Sequence, residues 1–80
     1  MKYKVTIFTY SYGSYAVSVF NHIFDNIIEA TAFAYERVHQ TKDDDKAFLS
    51  FHWEGIHENI DKLIAEFSWK ENEVKVEYAS

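Results

Sequence analysis

The feature that most constrains the fold is a two-residue alternation of side chains at the start of the chain. It runs through residues 2–10 and again through residues 15–23, and both stretches are rich in β-branched and aromatic residues. Successive side chains of a strand point to opposite faces, so each stretch is predicted to be a strand. Gly13 lies between them and can adopt the positive φ of a tight turn. The sequence therefore predicts a β-hairpin.

Further along the chain, the spacing of apolar residues changes to three and four, which is typical of an amphipathic helix. Asp25 is predicted to cap a first helix that runs to about Gln40, with a start near Asn21 as the alternative. A polar loop, a third strand at 47–53, a second helix and a last strand at 74–78 follow. The stripe that predicts the second helix consists of Ile56, Ile60, Leu63, Ile64 and Phe67.

These elements, in the order ββαβαβ, predict a single α+β domain over residues 1–80. Each predicted helix has one apolar stripe, and each predicted strand has one strongly apolar face. The economical arrangement is two layers, with both helices on the same face of a four-stranded mixed sheet. We expect each β–α–β connection to be a right-handed crossover.

Composition excludes several kinds of site. The chain has no cysteine and no proline, and its two glycines cannot build a glycine-rich phosphate loop. The net charge of −5 argues against direct binding to nucleic acid or to an anionic membrane. Polar residues interrupt the apolar stretches, so neither a signal peptide nor a membrane span is expected. We therefore expect a cytoplasmic protein.

The face of the predicted sheet that no helix covers carries many rings. With Val17 and Val19 assigned to the covered face, the open face displays Phe8, Tyr10, Phe20, Phe48 and His52. Such a cluster indicates a contact with another protein or with a second copy. Two alternatives stay open, namely a strand in the opposite phase and loops that cover the rings. A platform for single-stranded bases is a further alternative, although only Lys4 and Lys75 lie nearby.

Charge is distributed unevenly along the chain. Residues 1–42 carry four basic and three acidic side chains, whereas residues 43–80 carry four basic and ten acidic ones, a balance of −6. The acids predicted to dock on a basic partner are Asp43, Asp44, Asp45, Glu54, Glu58 and Asp61. An acidic field of this kind raises association rates and selects partners more than it adds affinity. The alternative is an ordinary solvated surface.

Catalytic and metal-binding signals are sparse. His52 and Glu54 form an H-x-E element, but the cysteine pair that completes a deaminase zinc site is absent. His52 and His57 are the candidates for a small metal site or an enzyme, which is the second alternative function. No serine lies in a nucleophile elbow. We therefore predict that the protein is not an enzyme and that it holds no metal and no cofactor.

The chain is small, has no cysteine, and combines the crowded rings of Phe48, Phe51 and Trp53 with acids from Asp43 onward. In these features it resembles small acidic accessory proteins of bacteriophages and mobile elements, some of which are anti-CRISPR or anti-restriction inhibitors. The resemblance implies a non-enzymatic interaction module that inhibits a nucleic-acid-processing complex in the cytoplasm of a host cell. It assigns no functional residues. The alternative is a structural or assembly subunit that homodimerises through the open sheet face.

Overall fold

The computed structural model describes the backbone of residues 1–11 and 15–80, and the side chains of residues 1–10 and 18–80. The predicted turn at Gly13 lies outside the described residues. Five strands and one α-helix form within the described part: β1 (Lys2–Ser11), β2 (Tyr15–Phe24), α1 (Ile27–Thr41), β3 (Asp45–Glu54), β4 (Asn59–Lys70) and β5 (Glu73–Tyr78). A short 3-10 turn, Lys42–Asp44, connects α1 to β3.

The strands form one sheet in the order β2-β1-β3-β4-β5, and every neighbouring pair is antiparallel. α1 connects β2 to β3 and packs on one face of this sheet. The chain is α+β, but the predicted four-stranded mixed sheet with two helices in the order ββαβαβ is wrong. The segment that was predicted to be the second helix is the longest strand of the sheet, β4.

A β-bulge explains why β4 has the apolar spacing of a helix. In the pairing of β3 with β4, Leu49 lies opposite Ala65 and the next residue, Ser50, lies opposite Leu63, so that Ile64 is the extra residue. A bulge changes the phase of the side chains along the strand. The apolar positions on the two sides of Ile64 therefore combine into spacings of three and four, which imitate a helical stripe.

A similar irregularity reverses the predicted phase of β2. The register between β1 and β2 shifts at Thr9 and skips one residue between Ala16 and Ser18. Phe20 consequently lies opposite Ile7 on the helix-covered face and packs against the core. The assignment of Phe20 to the open face is therefore wrong.

α1 begins one residue later than predicted, because Asn26 is its cap. The Asn26 Oδ1 atom accepts hydrogen bonds from the backbone N–H groups of Ile28, at 2.7 Å, and Glu29, at 3.3 Å. Asp25 instead forms an ion pair with Lys2, with 2.6 Å between Oδ1 and Nζ. Side-chain oxygens at this position satisfy amides that have no partner within the helix.

The core lies between α1 and the centre of the sheet. From α1 it contains Ala30, Ala34 and Val38, which are four residues apart and therefore lie on one helix face. The two alanines let the helix approach the sheet closely. The buried sheet residues that face them are Val5, Ile7, Ala47, Leu49, Ala65, Phe67 and Val74.

The two hairpin loops of the C-terminal half have distinct backbone requirements. In the β3–β4 loop, the Gly55 N–H donates to the Glu58 carbonyl, and a Cβ atom at Gly55 would lie 2.4 Å from that oxygen. In the β4–β5 loop, Glu71 and Asn72 have φ values of 54° and 62°. Positive φ at both central residues is the geometry of a type I′ turn, whose twist matches that of the flanking strands.

Candidate functional site

An apolar groove lies where the single helix leaves the sheet uncovered. α1 lies over β3 and contacts β1 on one side and β4 on the other, and the groove opens between one side of the helix and the strands β4 and β5. The groove has a volume of about 590 Å³. Its walls include Ile27, Ile28 and Tyr35 from α1, and Ile64, Phe67 and Tyr78 from the sheet. Its size falls within the range of sites that bind ligands, and its lining is mainly apolar.

Large apolar side chains on both walls of the groove are exposed to solvent. Ile28 is 75% exposed on the helix side, and Tyr78 is 76% exposed on the sheet side. Ile27 and Tyr35 are also exposed. Single exposed apolar residues are common, whereas several around one concave surface indicate an interaction site.

Acidic side chains border the apolar residues on the helix wall. Glu36 lines the groove, and Glu29 lies two helical turns before it on the same side of α1. Ile28 and Tyr35 have the same spacing of seven residues. The only Lys or Arg in α1 is Arg37, which is bound to a carboxylate of β3. Among the described residues neither Glu29 nor Glu36 forms an ion pair, so the helix wall presents an apolar row next to negative charge.

The opposite face of the sheet carries a smaller cluster of rings than predicted. Phe8 and Phe48 lie there, half-buried, and pack edge to face with 5.2 Å between their ring centroids. Tyr10 is half-buried at the shifted end of the β1–β2 pairing. Lys46 lies opposite Phe8, and Glu66 lies opposite Phe48. The ring pair is thus set among charged neighbours, and dimerisation through this face stays a prediction.

The six acids predicted for docking are not brought together. Asp43 and Asp44 are exposed in the 3-10 turn that precedes β3, whereas Glu54 and Glu58 are exposed at and beyond the other end of this strand. The ten residues of β3 separate the two groups by roughly 30 Å, because a strand rises about 3.3 Å per residue. The exposed acids therefore form two small groups rather than one patch.

Asp45 is buried and forms an ion pair within the chain. Its side chain is 2% exposed, and its Oδ2 accepts a hydrogen bond of 2.7 Å from the Arg37 Nε. The Arg37 guanidinium also lies over the ring of Phe20, 5.0 Å from the centroid. This ion pair attaches the C-terminal half of α1 to the first residue of β3. Asp45 therefore has a structural role, and its predicted role in docking stays a prediction.

Asp61 is also engaged within the chain. On the open face it accepts hydrogen bonds from His52 Nδ1, at 2.6 Å, and from Lys4 Nζ. The hydrogen bond from His52, followed by that from Lys4, holds the pKa of the Asp61 carboxyl below its usual value. The network joins β1, β3 and β4 across the middle of the sheet. The Asp61 side chain is still 34% exposed, and its predicted role in docking stays a prediction.

The two candidate histidines occupy different environments. His52 is buried, and its Nε2 lies 3.8 Å from Glu54, whereas His57 is exposed in the β3–β4 loop. An Asp–His pair can orient a general base, but catalysis by a nucleophile also needs a hydroxyl or thiol in hydrogen-bond contact with the histidine. Within the described part of the chain, no such hydroxyl bonds to His52, and no group of three or more ligating side chains could hold a metal ion.

The groove residues could not be identified from apolar periodicity alone. Ile28 lies outside the stripe that buries Ala30, Ala34 and Val38, and it was overlooked for that reason. Two adjacent isoleucines at the start of a helix are the signal that could have indicated an exposed apolar rim. Tyr78 was predicted to lie in the last strand, but without a second helix above it the residue is exposed.

No protein-family model matches the chain, and no curated protein or solved structure matches it either. None of the helices in the described residues is long and apolar enough to cross a bilayer. The function must therefore be argued from the site itself.

Proposed function

We propose that this protein is a non-enzymatic interaction module that binds an amphipathic segment of another protein in the apolar groove. The observation that carries the proposal is the exposure of Ile28 and Tyr78 on opposite walls of a groove that one helix leaves open. Burying a side chain of this size stabilises a complex by about 1.5–3 kcal/mol. A segment that covers both residues, together with the rest of the apolar lining, therefore gains contacts on both walls of the groove.

Charge favours a basic partner. Glu36 lines the groove on the helix side, Glu29 lies two turns before it on α1, and the chain as a whole carries a net charge of −5. A segment with apolar residues on one face and lysine or arginine beside them complements both features. The acids steer the encounter, and the apolar contacts hold the complex.

The narrower role, inhibition of a nucleic-acid-processing complex, is part of the proposal. Its support is the excess of acids after residue 42, because a protein that handles nucleic acid offers the basic surface that this charge would meet. The exposed acids Asp43 and Asp44 lie at one end of β3 and Glu54 at the other. They therefore contribute as a diffuse field rather than as a docking patch.

A displayed library of short amphipathic peptides of varied charge tests the proposal. We expect selection to enrich peptides that combine an apolar face with lysine or arginine. The Ile28→Asp variant should bind the best peptide about 10- to 100-fold more weakly, because it removes one buried apolar contact. The fold should be unchanged, since Ile28 is exposed. Ile56→Asp, at an exposed isoleucine of the β3–β4 loop, is the matched control and should bind normally.

Charge-reversal variants compare the contribution to binding of the acids beside the groove with that of the acids predicted to dock. Glu36→Lys combined with Glu29→Lys should slow association and reduce its salt dependence, whereas Asp43→Lys combined with Asp44→Lys should have a smaller effect. Three results would contradict the proposal: selection of no peptide, equal binding by Ile28→Asp, or tight binding of an apolar dye that the peptides cannot displace.

A further inference from the structure

From Ser18 to Phe24, beyond the register shift, β2 is a regular edge strand without the charged residues or proline that often protect sheet edges. On the outer side of its Tyr15–Phe24 span, the described residues place no strand. Natural proteins protect such edges with charged side chains, especially lysine, or with proline, because an unpaired edge is a template for another chain. The ten residues of β2 contain no lysine, arginine, aspartate, glutamate or proline. This edge therefore has the composition of a strand that is covered when the protein functions.

Two apolar residues of β2 are exposed on the open face of the sheet. Val19 is 51% exposed and Ile23 is 45% exposed, and Asn21 lies midway between them on the same face. The Asn21 Oδ1 accepts a hydrogen bond of 2.7 Å from the Thr6 hydroxyl. Its amide nitrogen has no partner among the described residues and can donate outward.

These positions are self-complementary. If two copies pair antiparallel about a two-fold axis at Asn21, Val19 of each copy lies opposite Ile23 of the other. Directly opposed side chains on one face of an antiparallel pair contact each other. The two Asn21 amides meet at the axis. Both exposed apolar residues of each protomer are thereby covered, and no charged residue of β2 is buried.

The distribution of charge selects this edge over the other one. β2 lies at one edge of the sheet, whereas β4 and β5 lie at the opposite edge, within the half of the chain that has a balance of −6. Pairing through β2 keeps the two acidic halves as far apart as the sheet allows. Pairing through β5 would bring them together, which costs free energy through like-charge repulsion.

We infer that a second copy of this chain pairs antiparallel with β2, in register about Asn21, to form a continuous ten-stranded sheet. An isologous two-fold contact of this kind closes the assembly at two protomers. The groove lies beside β4 and β5, so both grooves stay open in the dimer. The inference does not depend on the proposed function of the groove.

Sedimentation velocity over a range of micromolar concentrations tests the dimer, with two charge variants that differ at one position. Val19→Lys with Ile23→Lys should weaken dimerisation at least tenfold, because lysines then face each other across the two-fold axis. Val19→Lys with Ile23→Glu should restore dimerisation, because each introduced lysine then faces a glutamate. Circular dichroism checks that both variants remain folded, and Ile56→Lys serves as the control that should dimerise normally.

Methyl NOEs measured on a mixture of differently labelled wild-type protomers test the register. A contact between Val19 of one protomer and Ile23 of its partner is the expected result. A strict monomer at high micromolar concentration, or a double-lysine variant that dimerises as well as the wild type, would overturn the inference. Equal dimerisation by the two charge variants would refute the register about Asn21.

Discussion

The ion pair between Arg37 and Asp45 offers a quantitative test of how α1 is held on the sheet. The two partners differ in burial, since Asp45 is 2% exposed and Arg37 is 32% exposed. Replacing Arg37 with leucine leaves an ionised group inside the protein without a partner. Replacing Asp45 leaves a cation that can turn towards solvent and that keeps its contact with the ring of Phe20.

The difference in burial between Arg37 and Asp45 sets how much each substitution should lower the free energy of unfolding. Removing one partner of a buried ion pair costs about 3–5 kcal/mol, and the partial exposure of Arg37 places Arg37→Leu near the lower value, about 3 kcal/mol. For a domain of this size, that loss lowers the Tm by roughly 12–24 °C. Asp45→Leu should cost less, about 1–2 kcal/mol. The double variant should be more stable than Arg37→Leu alone, because it leaves no unpaired charge in the interior.

Urea denaturation followed by circular dichroism measures the free energy of unfolding for the wild type, both single variants and the double variant. The dependence of the free energy of unfolding on urea concentration should be the same for all four proteins, since the surface exposed on unfolding hardly changes. Glu36→Gln, at an exposed position of the same helix, is the control and should change stability by less than about 0.5 kcal/mol. Equal losses in the two single variants, or a double variant that loses their sum, would refute the reasoning.

Three further outcomes follow from the loops and from the open-face network. Glu71→Gly should stabilise the protein by about 0.5–1 kcal/mol in urea denaturation, because glycine adopts positive φ without strain. Gly55→Ala should destabilise it by about 1–3 kcal/mol, because the new methyl group meets the Glu58 carbonyl oxygen. Because the pKa of Asp61 is lowered in the fold, this residue contributes stability above its ordinary pKa of 3.8 that is lost as the pH falls below that value. Asp61→Asn should therefore flatten the pH dependence of stability in that range. Asp25→Asn removes a more exposed ion pair, so it should change the pH dependence less, and high salt should abolish that smaller effect.

Local signals predicted most of the individual elements. β1, β2, α1, β3 and β5 all appear within a few residues of their predicted bounds, because each contains a stretch of side chains long enough to show its period, even where a register shift interrupts β2. The prediction of a helix in place of β4 was wrong because of the bulge at Ile64. The bulge shifts the alternation of side chains by one residue, and apolar residues before and after it then have the spacing of a helix. The alternation of Ala65, Phe67 and Trp69 with polar residues was the competing strand signal.

The candidate site was less predictable than the elements. The sequence placed Phe8 and Phe48 on the open face, where they lie, but it also placed Phe20 there, which is wrong, and it did not indicate the groove on the helix-covered face. Which side chains of β2 face the helix depends on the residue that its pairing with β1 skips. The sequence alone does not reveal that skipped residue. The groove, in turn, exists because the expected second helix is absent. A surface created by a missing element has no local pattern of its own and becomes visible only when the topology is known.

The most direct test of the central claim, that a partner segment binds in the groove between α1 and the strands β4 and β5, is a methyl NMR titration. The chain has seven isoleucines: one in the core, three at the groove, one in β2, one in the β3–β4 loop, and Ile60 near the start of β4. On addition of the best basic amphipathic peptide, the methyl signals of Ile27, Ile28 and Ile64 should shift together, while those of Ile7 in the core and Ile56 in the loop stay unchanged. Shifts confined to Ile56, or no shift of Ile28 at saturating peptide, would contradict the account.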